Sequence, residues 1–178
     1  DLLEHAVIWR EGAQAQSVKG VNRLELGHTP ILAIYSLPPS VSVLRSLLET
    51  SQAEQLILAL EGEPQDDDPS VILNRLAGMV KYALNQNDGW LPFDRASAAL
   101  NQRDLVVLRG LELLEGLGQI QILAINEEGA IVQPGSSHAE AAALLKLNNN
   151  FIYQVQETAS FRKFVAKTPV EWFRGLVE

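Results

Sequence analysis

Cysteine is absent from the chain. That excludes disulfides, thiolate zinc sites and a cysteine nucleophile, and it suits a reducing compartment, so a cytoplasmic setting is expected. Histidine is scarce: His5, His28 and His138 stand far apart, with no HxH or HxxxH spacing, and are expected in loops or on the surface rather than in a metal or catalytic site. Long apolar runs are missing too. None approaches the roughly 18 residues of a membrane span, so a soluble protein without a membrane partner is expected. Asp1 to Arg10 lacks the basic and apolar regions of a signal peptide, and the absence of an initiator Met suggests a piece of a longer chain. No GxGxxG, Walker or GxSxG sequence occurs. Neither a nucleotide cofactor nor a serine nucleophile is therefore expected, and Ser136 or Ser137 reads as a helix cap.

Positive charge is also limited. Fourteen Lys and Arg face 22 Asp and Glu, a net charge of −8, which argues against a general grip on phosphates. The imbalance sits in the first part, where residues 1–68 hold four bases against eleven acids, while residues 69–178 hold ten against eleven.

The 178 residues, 47% of them hydrophobic, are enough for two compact lobes. Ala6–Trp9, Pro30–Ser36 and Gln55–Leu60 read as buried strands. Between the last two, Ser40 caps a helix with Val41, Val43, Leu44, Leu47 and Leu48 at helical spacing. Strand, helix and strand make a βαβ unit with a parallel sheet, and residues 1–62 are assigned to this small α/β lobe. The acidic, proline-flanked stretch 63–69 reads as a solvated linker: Asp66, Asp67 and Asp68 lack the spacing of a calcium loop.

Residues 70–134 then read as a winged helix-turn-helix. Ser70 caps a helix running to about Asn85, a short helix spans Asp94–Leu100, and Asn101 or Gln102 opens a third that stops at Gly116-Leu-Gly118. Gln119–Ile125 and Ala130–Gln133 form a hairpin. Residues 135–178 are expected to be C-terminal helices packed on that lobe, with Asn148-Asn-Asn150 interrupting the first and Thr168-Pro169 opening the last.

In a DNA-reading winged helix the third helix enters the major groove. Here it offers Arg103 and Arg109 among Asp104, Glu112 and Glu115, a weak charge for a duplex reader. The C-terminal stretch is more promising. Lys146, Arg162, Lys163, Lys167 and Arg174 are interleaved with Phe151, Tyr153, Phe161, Phe164, Trp172 and Phe173, against only Glu157 and Glu171. Bases with aromatics suit an acidic, apolar-tipped peptide or single-stranded nucleic acid, unless the aromatics are core and the bases a solvated face. The Pro38-Pro39-Ser40 turn is a weaker candidate for a small anion at a helix N-terminus, and a small-ligand domain there would need a closed pocket.

Several stretches together resemble the C-terminal region of RecJ-type single-strand-specific exonucleases, in the form found in cyanobacterial members. They are Asn74–Tyr82, the Arg103–Gly116 helix with Gly118–Ile125, Glu128–Val132, Phe151–Glu157, and Phe161–Trp172 with Lys167-Thr-Pro-Val-Glu171. The likeness spans about residues 30–178 and rests on patterns of apolar, Gly and Pro positions. It implies an accessory, non-catalytic part of a 5′-to-3′ nuclease of DNA repair and recombination. The Mn or Mg of such enzymes is held by Asp and His in an N-terminal core, and no Asp-His-His sequence occurs here. The resemblance further implies, as partners, single-stranded DNA or the acidic, Phe-ended tail of single-stranded-DNA-binding protein. The alternative is a winged-helix DNA-binding regulator.

Overall fold

The computed structural model describes residues 4–12 and 19–176, with the side chains of Gln65 and Arg174 excepted. It is an α/β fold with two three-stranded sheets. Strands β1 (Val7–Trp9), β2 (Ile31–Ser36) and β3 (Gln55–Glu61) form a parallel sheet with β2 in the centre. Helix α1 (Val41–Ser51) supplies the crossover from β2 to β3. Ser40 starts it, its hydroxyl accepting from Val43 N at 3.2 Å, and Leu44, Leu47 and Leu48 turn inward with Trp9, Leu32 and Ile34 to make the first core.

The second core is built from α2 (Pro69–Gln86), β4 (Trp90–Pro92), α3 (Phe93–Leu100), α4 (Asp104–Gly116), β5 (Ile120–Ile125) and β6 (Gly129–Pro134). Its sheet is antiparallel in the order β4-β6-β5, pairing Trp90 with Ile131 and Ile122 with Val132. The short strand β4 has no counterpart among the strands expected from sequence.

The helix starts differ from expectation. The cap of α2 is Asp68, not Ser70: its Oδ1 accepts from Ser70 N at 2.9 Å and Val71 N at 3.3 Å, with Pro69 in the first turn. Proline there is preset for the helix and forfeits only a donor that would be unpaired anyway. Pro92 precedes α3, so Asp94 lies inside it. Asn101 closes α3 in the left-handed region (φ 50°) and Arg103 precedes α4, so neither Asn101 nor Gln102 opens the third helix.

Helix α5 (Ala141–Val165) is unbroken through Asn148-Asn-Asn150, contrary to the interruption expected there, and its N-cap is Glu140 rather than a serine. Asparagine costs only tenths of a kcal/mol in a helix, and packing outweighs it. Leu144, Leu147, Phe151 and Val155 all join the second core. At 1.5 Å per residue the helix is roughly 37 Å long. It passes beyond that core, so that Phe161 and Val165, with Trp172 and Phe173 of α6 (Val170–Arg174), pack into the first one. The C-terminal helices thus pack on both lobes, not on the second alone.

The acidic stretch before α2 is not a solvated linker. Pro64–Asp67 forms a 3-10 turn, and Asp66 is 4% exposed. Its backbone carbonyl accepts from Gln102 Nε2 and from Arg162 Nη1 (3.3 Å), while Arg75 reaches its carboxylate at 3.5 Å. Asp67 pairs with Arg162. Carbonyls and carboxylates facing inward demand donors, and this turn meets them with side chains from α2, the α3–α4 joint and α5. No helix among the described residues is long and apolar enough to cross a membrane.

Candidate functional site

Helix periodicity sorts the basic C-terminal residues. The inward stripe of α5 is Phe151, Val155, Thr158, Arg162 and Val165, recurring at intervals of four and three. Arg162 therefore lies on the buried side, 3% exposed. Its guanidinium donates to Leu37 O (3.1 Å), Asp66 O, Asn101 O and Asp67 Oδ1. It is a joint between the lobes and is not available to a partner.

Arg103 is also committed. It donates to Gln154 O at 2.8 Å and Gln154 Oε1 at 2.9 Å, with Glu157 at 3.6 Å, bracing α4 against α5. Arg109 pairs with Glu112 one turn along α4, at 2.7 Å. The side chain of Arg174 lies outside the described residues. Lys146, Lys163 and Lys167 are exposed, but Lys146 is about 26 Å along α5 from Lys163. Of the six singled-out basic residues whose side chains are described, only Lys163 and Lys167 are both exposed and within one helical turn of each other.

Phe164, next to Lys163 in the chain, is 51% exposed. Its ring meets Trp172 edge-on at 5.3 Å and stands 6.4 Å from Phe161; Trp172 in turn meets Phe173 edge-on at 5.2 Å, and Phe173 is buried. Edge-to-face contacts at these distances hold aromatic rings in fixed orientations, so Phe164 is the outer end of a ladder anchored in the first core. On α6, Val170 is 52% exposed, and Glu171 is exposed beside it in the chain.

Phe161 also opens onto a groove of about 490 Å³ whose other walls include Pro39, Ser40, Val41, Arg103 and Tyr153. The Pro38–Ser40 turn thus borders an open groove, not the closed pocket a small-ligand domain would need. Tyr153 donates to Glu157 Oε1 at 2.9 Å, and that bond, with the carboxylate charge behind it, holds the phenol above its ordinary pKa. Arg103 and Glu157 offset one another at the groove wall, leaving little net attraction for an anion.

The third helix is covered. Phe151, Leu147 and Leu144 lie along α4, where a Cβ on Gly110 would overlap Leu76 and come 3.4 Å from Phe151, and one on Gly116 would come 2.6 Å from Leu147. What α4 still shows is Asp104 and Leu105, with Leu108, Arg109, Glu112 and Glu115 half-buried. That stripe is acidic on balance.

The chain matches no family model, no curated protein and no solved structure. The geometry stands alone as a guide to function. His5, His28 and His138 are exposed, and among the described residues no group of three or more His, Asp or Glu could hold a metal ion. Sequence reasoning named the Pro38–Ser40 turn and Phe161 separately and missed that they line one groove.

Proposed function

We propose that this chain is a non-catalytic accessory region of a RecJ-like single-stranded-DNA exonuclease, and that it docks a protein partner through the exposed end of α5 at Lys163, Phe164 and Lys167. In this reading residues 70–134 are a winged helix used as a scaffold. Support comes from the order helix, short strand, two helices and hairpin, with strands arranged β4-β6-β5. A cytoplasmic location goes with the proposal.

The observation that carries it is the exposed Phe164 ring at the end of α5, next to the exposed Lys163 and three residues before the exposed Lys167, with Trp172 packed edge-on against it. An apolar ring beside two cations fits an acidic peptide that ends in an aromatic residue. Duplex reading is disfavoured because α5 occupies one flank of the helix that would enter the groove, and the remaining stripe is acidic. Long single strands are disfavoured because Lys146 lies too far away to extend the cationic track.

Fluorescence anisotropy tests this. A labelled acidic peptide ending in Phe should bind, and Phe164→Ala or Lys163→Ala with Lys167→Ala should each weaken it by about tenfold. Equal affinity of wild type and variants, or tighter binding of a labelled single strand than of the peptide, rejects the proposal.

A further inference from the structure

We propose a second docking surface of opposite character: the outer face of the β4-β6-β5 sheet, which fits a partner segment carrying Lys or Arg beside aliphatic residues. This surface is separate from the Lys163–Phe164–Lys167 patch and does not depend on it.

The strand register defines the face. Trp90, Ile131 and Ala124 stand opposite one another on neighbouring strands, followed along the hairpin by the hydrogen-bonded pair Gln121 and Gln133. Opposed residues share a face, and the alternate positions Leu91, Ala130 and Val132 are buried in the core. Ile131 is 39% exposed, and Leu123, in the bulge of β5 opposite it, is 54% exposed, whereas Ile125 pairs with Ala130 and belongs to the other face. Grouped exposure of large aliphatics on one sheet face is uncommon on a surface that only meets water.

Charge identifies the occupant. Between Arg109 and Lys146 the chain contains no Lys or Arg and five Glu. The β5–β6 turn carries Glu127 and Glu128, and it borders a cleft of about 610 Å³ whose walls include Trp90, Asp94, Arg95 and Asp104. Four carboxylates against one guanidinium leave the cleft anionic. Among the described residues Asp94, Asp104, Glu127 and Glu128 have no salt bridge. The turn itself is held in place: Asn126 Oδ1 accepts from Glu128 N and Gly129 N, each at 2.9 Å, and Phe93 N donates to Glu128 O at 2.9 Å.

The Trp90 indole belongs both to the apolar face and to the acidic cleft. A cation entering the cleft meets an aromatic face and carboxylates together, while a neighbouring aliphatic residue of the same partner meets Ile131 and Leu123. Nucleic acid is excluded from this face by its charge, because nothing there would neutralise phosphates.

The test is an NMR titration of the full isotope-labelled chain with a synthetic peptide of alternating Leu and Lys, and with its Leu and Glu counterpart. The Leu/Lys peptide should shift amides around Trp90, Leu123–Gly129 and Ile131, and its affinity should fall with added salt. Glu127→Lys with Glu128→Lys, and separately Leu123→Ser, should each weaken it by about fivefold or more, while Lys163→Ala with Lys167→Ala leaves it unchanged. All three sites are exposed, and an unchanged melting curve verifies that each variant folds. The proposal is overturned if the Leu/Lys peptide fails to bind, if the Leu/Glu peptide binds as well, if the shifts map elsewhere, or if sedimentation shows a second copy of the chain covering the face.

Discussion

Replacing Arg162 by Met should destabilise the protein by about 3 kcal/mol, whereas replacing its neighbour Lys163 by Met should change stability by no more than about 0.5 kcal/mol. The larger figure follows from what the guanidinium leaves behind. Leu37 O retains the Asn101 amide at 3.2 Å and Asp66 O retains Gln102, so neither carbonyl is stranded. Asn101 O loses the Arg162 donor, and a buried carbonyl without a donor costs about 1–3 kcal/mol. Asp67 loses its cation but is 27% exposed. Water therefore limits its cost to less than the roughly 3–5 kcal/mol of a fully buried broken pair. Met keeps the apolar stem packed and removes the desolvation of the arginine, offsetting part of the loss. For a chain of this size about 3 kcal/mol corresponds to a fall in melting temperature of roughly 6–12 °C. Thermal and urea denaturation followed by circular dichroism would measure both variants. Comparable shifts for Arg162→Met and Lys163→Met would refute the phase assigned to α5, and with it the separation of a structural arginine from a docking lysine.

Two further outcomes are expected. Gly110→Val should destabilise by about 2 kcal/mol, since the new side chain collides with Leu76 and Phe151; stability within about 0.5 kcal/mol of wild type would mean that α5 does not cover α4. Asp68 accepts from the Ser70 hydroxyl and from Val71 N and Ser70 N, which holds its pKa below the usual 3.8. A lowered folded-state value means that the unfolded chain binds the proton more readily. The cap's contribution is therefore present above the ordinary carboxylate pKa and is lost as pH falls through the lowered value. The difference in melting temperature between wild type and Asp68→Ala should accordingly be largest near neutral pH and shrink in acid, and a difference that grows in acid would contradict the assignment.

Apart from β4 and the Pro64–Asp67 turn, the strands, helix α1 and the order of elements through β6 were legible because each rests on local periodicity and turn chemistry. Ser40 is the clearest case, a cap read from sequence that accepts from Val43 N in the fold. The Asp68-Pro69 start was legible too, as a capping carboxylate followed by a first-turn proline, but it was masked by the acidity of the stretch around it. Arg162 was misjudged for a similar reason. Residue type suggested surface, while its place on the stripe of Phe151, Val155 and Thr158 pointed inward.

The remainder depends on contacts between distant segments. Nothing in residues 104–116 alone indicates that Leu147 and Phe151 will lie on them. The continuity of α5 through three asparagines is likewise set by packing against α4 rather than by its own sequence. The acidic cleft gathers Asp94, Asp104, Glu127 and Glu128 from separate elements, and its only sequence trace was the stretch without Lys or Arg between Arg109 and Lys146.

The most direct test of the central claim is to map, by amide chemical shifts of the same chain, where an acidic Phe-ended peptide and a DNA duplex each act. The expected result is a peptide response centred on Phe161–Trp172 that Phe164→Ala removes, with no duplex response along Asp104–Glu115. A duplex response on that helix, with none to the peptide around Phe164, would contradict the account.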